Sequence, residues 1–114
     1  MKYALLIFNP DNWADGLSEA DLASQSEEYF AIREDPRVLD GGQLQGAETA
    51  TTLRERGDQT LTTDGPFADT KEVFAGYYIM EASDLDEALE IVARIPARRT
   101  GSVEVRPLVE YPGA

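Results

Sequence analysis

The stretch Thr62-Thr63-Asp64-Gly65-Pro66-Phe67-Ala68-Asp69-Thr70-Lys71-Glu72 gathers three carboxylates and one ammonium within eleven residues. Three carboxylates this close can do two kinds of chemistry. Asp64, the candidate catalytic residue, can serve as a base if burial raises its pKa, and Asp64, Asp69 and Glu72 together can hold a hard cation such as magnesium. Lys71 can receive an anionic substrate. The plainer alternative is structural. Aspartate bonds backbone amides along a turn, glycine admits positive φ and proline fixes the next angle. Phe67 would then anchor a rigid connector, and Lys71 would pair with Asp69 or Glu72 at the surface. Gly65, Pro66, Phe67, Lys71, Glu72 and Tyr78 are the candidate binding residues. A second set, Phe8, Trp13, Arg33, Tyr77 and Tyr78, can line a cleft or simply fill a core, and a buried tyrosine hydroxyl needs a partner in either case.

Much chemistry is excluded by composition. The chain has no histidine and no cysteine, so zinc, copper, haem with its usual ligands, thiol catalysis and a serine–histidine triad are not expected. There is no Gly-x-Gly-x-x-Gly and no phosphate loop, and Asp40-Gly41-Gly42 is too short to be one. No cofactor and no resident metal site is expected. Ten basic against 22 acidic residues give a net charge of −12 in 114 residues. A surface of that sign repels phosphate backbones and anionic lipid, so neither direct nucleic-acid binding nor membrane association is expected.

The elements that must position these residues follow from periodicity. Residues 3–8 alternate as a first strand; Asn9-Pro10-Asp11 follows where a signal peptide would have small residues, so a cytoplasmic address is the economical expectation. Ser18, with Asp21 three residues on, caps a first helix whose Leu22, Tyr29 and Phe30 would share a buried stripe. Residues 37–44 form a weaker strand. Two threonine-rich runs, 49–56 and 59–63, flank Gly57-Asp58 as a hairpin. Residues 73–81 are the clearest strand. Asp84 caps a second helix, with Glu87 reciprocating; Leu85, Ala88, Leu89, Val92 and Ile95 line one face and Pro96 stops it. Residues 102–107 close as a strand with Val103 and Val105 inward.

The order is strand, helix, strand, inserted hairpin, strand, helix, strand. The fold expected for the single domain 1–114 is therefore α+β, a ferredoxin-like β-α-β-β-α-β with an inserted β-hairpin. Its two central strands are apolar on both faces, and helices can cover only one. Soluble monomers seldom leave such a patch bare, so a homodimer packed sheet to sheet is expected; a hairpin folded back over the open face is the alternative.

Asp64-Gly65-Pro66-Phe67, followed by Ala68-Asp69-Thr70-Lys71-Glu72, resembles the signature of the DGPF group within the YCII-related proteins. Lys2-Tyr3-Ala4-Leu5-Leu6-Ile7, Gly76-Tyr77-Tyr78, Asp84-Leu85-Asp86-Glu87-Ala88-Leu89-Glu90 and Gly101-Ser102-Val103-Glu104-Val105-Arg106-Pro107 are similar to that family in the same order. The resemblance implies a dimeric α+β barrel. It implies two functions as well: binding or transformation of a small organic molecule near the 64–67 turn, or a protein-interaction module contacting a sigma factor in transcription initiation. Many family members carry a histidine and an aspartate; this chain lacks the histidine.

Overall fold

A computed structural model describes residues 1–65 and 71–113. Pro66, Phe67 and Asp69, named above, lie outside the described residues. The elements are β1 (Lys2–Asn9), α1 (Glu19–Arg33), β2 (Val38–Gln43), β3 (Thr51–Arg56), β4 (Gln59–Asp64), β5 (Val73–Glu81), α2 (Leu85–Val92) and β6 (Ser102–Pro107). Short 3-10 turns at Ala47–Thr49 and Pro96–Arg99 complete them. Strands β2-β5-β1-β6 form an antiparallel sheet in that order, and β3-β4 form a separate hairpin. Setting the hairpin aside leaves the β-α-β-β-α-β order, with β1 and β5 central as the apolar alternation requires.

One face of the sheet carries the core. Tyr3, Leu5 and Ile7 of β1 and Tyr78 and Met80 of β5 pack with Ile32 of α1 and Ala88 and Ile91 of α2. Both helices begin at side-chain caps. The Ser18 hydroxyl accepts from the Asp21 amide at 3.1 Å, while the Ser18 amide donates to Asp21 Oδ2 at 3.2 Å. Asp84 accepts from the Glu87 amide at 2.9 Å. Glu87 reaches one residue further back than the expected box, accepting from the Ser83 amide at 2.6 Å.

Three expectations are corrected. In α1 the inward positions are Leu22, Tyr29 and Ile32; Phe30 is 64% exposed. It sits about 100° around the helix from Tyr29, so the two neighbours cannot share one stripe. In α2 the helix ends at Val92, well before Pro96, with Ala88 and Ile91 buried and Leu85 and Leu89 largely exposed. In β5 the sequence sets Val73, Ala75, Tyr77 and Ile79 on one face and Phe74, Gly76, Tyr78 and Met80 on the other, and this alternation fails at a bulge. Ile7 pairs with Gly76 but Phe8 pairs with Phe74, leaving Ala75 as the extra residue. A bulge shifts the phase of the side chains beyond it, so Phe74 shares the face of Phe8, their ring centroids 5.5 Å apart.

That second face consists of Ala4, Leu6 and Phe8 opposite Ile79, Tyr77 and Phe74. No helix packs on it. The hairpin extends from the body: apart from half-buried Thr52 and Arg54, every residue of β3 and β4 is exposed. Its turn uses Gly57 at φ 59°, the left-handed region that a tight two-residue connection needs. Among the described residues no helix is long and apolar enough to cross a membrane.

Candidate functional site

A cleft of about 580 Å³ opens between α1, the β1–α1 loop and the β2–β5 edge of the sheet, within the range of small-molecule sites. Glycines make the room for it. Gly76 of β5 lies beside the Gly42 carbonyl of β2, which a Cβ would approach to 2.8 Å. A Cβ on Gly41 would come within 2.6 Å of the Tyr78 ring. The Tyr78 ring can therefore lie flat against the edge strand while its hydroxyl donates to the Tyr29 carbonyl at 3.1 Å, tying β5 to α1. Burial pushes the Tyr78 phenol up to about 12, the nearby Arg33 charge opposing only part of the shift. The Tyr29 phenol is raised by burial too, with the Ala97 backbone drawing it back. Both remain protonated at ordinary pH.

The cleft also has polar lining residues. Asn9 continues the inward phase of Tyr3, Leu5 and Ile7, and it is the buried polar side chain of the described core. Its Oδ1 accepts from the Thr100 hydroxyl at 2.6 Å. Gly101 permits this closeness, since a Cβ there would sit 2.9 Å from the Asn9 Cα. Arg33, at the last turn of α1, and Asp11, in the β1–α1 loop, are the charged side chains bordering the cleft among the described residues. Trp13, Tyr29 and exposed Phe30 supply aromatic surface.

Of the candidate binding residues, Tyr78 borders this cleft. Asp64 and Gly65 do not, and neither do Lys71 and Glu72. Asp64 ends β4 opposite Thr51 and is exposed. Gly65 has φ 96°, its amide donates to the Ala50 carbonyl at 2.6 Å, and its carbonyl accepts from the Thr52 hydroxyl at 2.9 Å. Among the described residues, Gly65 is thus tied to Ala50, next to the 3-10 turn whose Ala47 lies on the rim. Lys71 is exposed, and Glu72 Oε1 accepts from the Ser102 hydroxyl at 2.6 Å. Among the described residues no three His, Cys, Asp or Glu side chains are grouped to hold a metal ion.

Of the second set, Trp13, Arg33, Tyr77 and Tyr78 border the cleft, whereas Phe8 pairs with Phe74 on the open face. Asn9, Gln25 and Gln43 were not anticipated. The signal for Asn9 was present, because a polar residue on the inward phase of an apolar strand must find a partner. Nothing in their spacing marks the glutamines.

Comparison with known proteins bears on the whole chain. It is 35% identical, over 97% of its length and 94% of the relative's, to the uncharacterized protein R00369 of Rhizobium meliloti (strain 1021). Among solved structures, TftG, a 5-chloro-2-hydroxyhydroquinone dehydrochlorinase from Burkholderia phenoliruptrix AC1100 in complex with 2,5-dihydroxybenzoquinone, aligns with a TM-score of 0.48. That alignment has 18% identity and covers 97% of this chain and 96% of TftG. The model of the YCII-related domain matches residues 1–112. That span takes in every strand and helix described above, and the chain belongs to the YCII-related domain family.

Proposed function

We propose that the chain binds, and in its working assembly transforms, a small organic molecule in the cleft between α1 and the sheet. The observation that carries this reading is the cleft's composition: aromatic walls surrounding a few convergent polar groups, one of them the buried amide of Asn9. Such a mixture is what orients a small ligand, whereas a purely packing interface would be apolar throughout. Asp64 and Gly65 enter the proposal as the end of β4 that is tied to Ala50 beside the 3-10 turn on the rim, with Lys71 and Glu72 as charged groups further along the chain. The working unit is proposed to be a homodimer joined through the open sheet face, giving a dimeric α+β barrel.

The test is a thermal-shift screen of a small-molecule library against the native chain and Ser26→Trp. Ser26 is exposed on α1 and borders the cleft, so the larger side chain occupies the cavity without disturbing the core. A ligand at ten times its Kd adds about 1.4 kcal/mol, or roughly 5 °C for a domain of this size. Compounds that stabilise the native chain should lose that effect in Ser26→Trp. Equal stabilisation of both proteins, or no stabilising compound at all, would overturn the reading.

A further inference from the structure

The cleft differs in charge from the rest of the molecule. A chain of net charge −12 leaves it bordered by one arginine and one aspartate among the described residues. No described carboxylate forms an ion pair with Arg33, and its charge is felt at the Tyr78 hydroxyl inside the cleft. Asp35, two residues beyond Arg33, is instead committed to Arg37 and Arg94. The cation is therefore left for something that enters.

Asn9 gives the second and independent observation. Its side chain is more than nine-tenths buried, and Thr100 takes its oxygen end. The amide nitrogen has no partner among the described residues, yet none of those residues has a fully enclosed side-chain nitrogen or oxygen left unpaired. The Nδ2 group must therefore reach open space, and the space Asn9 borders is the cleft. A buried donor held by its own oxygen is pre-oriented, and an acceptor oxygen placed before it gains a hydrogen bond without ordering a flexible side chain. Trp13, Tyr29 and Phe30 give the same cleft an aromatic lining. Phe30 is largely exposed, so its ring is accessible to a ligand that stacks on it.

We propose that the cleft selects a planar, ring-bearing organic anion. Its negative oxygen faces Arg33, a second oxygen accepts from Asn9 Nδ2, and the ring lies among Trp13, Tyr29 and Phe30. This rests on the reading of the cleft as the binding site. Asp11 adds one negative charge to the same cleft, so a singly charged ligand is favoured over a doubly charged one.

Trp13 is the only tryptophan, so its indole N–H gives a single, assignable proton–nitrogen resonance. The probes are 4-hydroxybenzoate, its uncharged counterpart 4-hydroxybenzamide, and cyclohexanecarboxylate, which keeps the charge without a flat ring. The expected result is a saturable shift of the Trp13 resonance with 4-hydroxybenzoate and weaker binding of the other two, by about fivefold or more. Arg33→Gln should bring benzoate and benzamide to equal affinity, Arg33→Lys should restore the preference, and Asn9→Leu should weaken both. Because Asn9→Leu removes a buried amide, its folding is checked from its melting curve, and the Arg33 pair decides the charge arm alone. Equal binding of benzoate and benzamide to the native chain overturns the anionic class. Equal binding of cyclohexanecarboxylate overturns the planar ring. If none of the probes moves the indole while other library compounds still stabilise the native chain and not Ser26→Trp, this inference fails and the cleft survives as a site. If no compound does so, both fail together.

Discussion

Tyr78 links the sheet to α1 by a single hydrogen bond from a buried phenol, and that bond makes a measurable claim. Removing the hydroxyl in Tyr78→Phe leaves the Tyr29 carbonyl without its donor, a loss of about 1 kcal/mol at neutral pH. The phenol ionises near 10 in the unfolded chain and at about 12 in the folded one. Between those values the unfolded state has released a proton that the folded state retains, so stability falls as pH rises from 10 to 12. Urea unfolding at pH 8, 10 and 11 should show this decline in the native chain and a shallower one in Tyr78→Phe. Parallel declines would mean that the phenol is not held protonated by burial. Asp35 makes the opposite claim at the acid end. Hydrogen bonds from the Arg37 side chain and backbone, with Arg94 beside them, hold its carboxyl down to about 2. The unfolded carboxyl protonates near 3.8, so this contribution is present above pH 4 and is lost as pH falls toward 2. Asp35→Asn should be less stable at pH 6 and should lose less between pH 4 and pH 2, measured by thermal melts across that window.

At the scale of elements, the strands were legible and the helix faces less so, for a reason visible in α1. A strand assigns each residue to one of two faces, so β6, and β5 from Gly76 onward, could be placed to the residue from alternation alone. A helix assigns faces in steps of 100°, and α1 has too few apolar residues to fix the rotation. Leu22, Gln25, Tyr29 and Ile32 stand at spacings of three, four and three, but the glutamine in that row hides it. The larger Phe30 then looks like a core residue while Ile32 is overlooked. The difference can be measured. Ile32→Ala removes a fully buried side chain and should cost about 2–5 kcal/mol, whereas Phe30→Ala should change stability by no more than about 0.5 kcal/mol. Urea unfolding of the two variants would give the reverse order if α1 were rotated to bury Phe30. The cleft itself was only partly legible because bulges and glycines shape it. The extra residue at Ala75 moves Phe74 to the other face. The close approach of β2 to Gly76 exists only in three dimensions, and no spacing along the chain announces either.

The whole molecule is a slab of 47 × 46 × 18 Å with a radius of gyration of 16.3 Å, against about 13 Å for a compact domain of this length. The excess comes from the β3–β4 hairpin, which leaves the body with Leu53 and Leu61 exposed on its two faces. A two-stranded hairpin in water is marginal by itself, and the same molecule has a sheet face that no helix covers. One arrangement relieves both exposures: a second copy whose sheet packs on the face of Leu6, Phe8, Phe74 and Ile79 while the hairpins reach across the seam. Area burial at about 25 cal/mol per Å² makes such a face worth covering, but the charge of −12 on each copy opposes it. Association should therefore strengthen as salt screens that repulsion. Light scattering at micromolar concentration in 0.15 M salt is expected to give a mass near twice 12.6 kDa. Ile79→Glu places a carboxylate at the centre of the open face, opposite Ala4, where a lone subunit would leave it in contact with water. That variant should scatter as a monomer and keep its native circular dichroism. A native chain that is monomeric at every salt concentration would sink the dimer. An Ile79→Glu chain that still dimerises would place the interface elsewhere, with the hairpin the first surface to substitute.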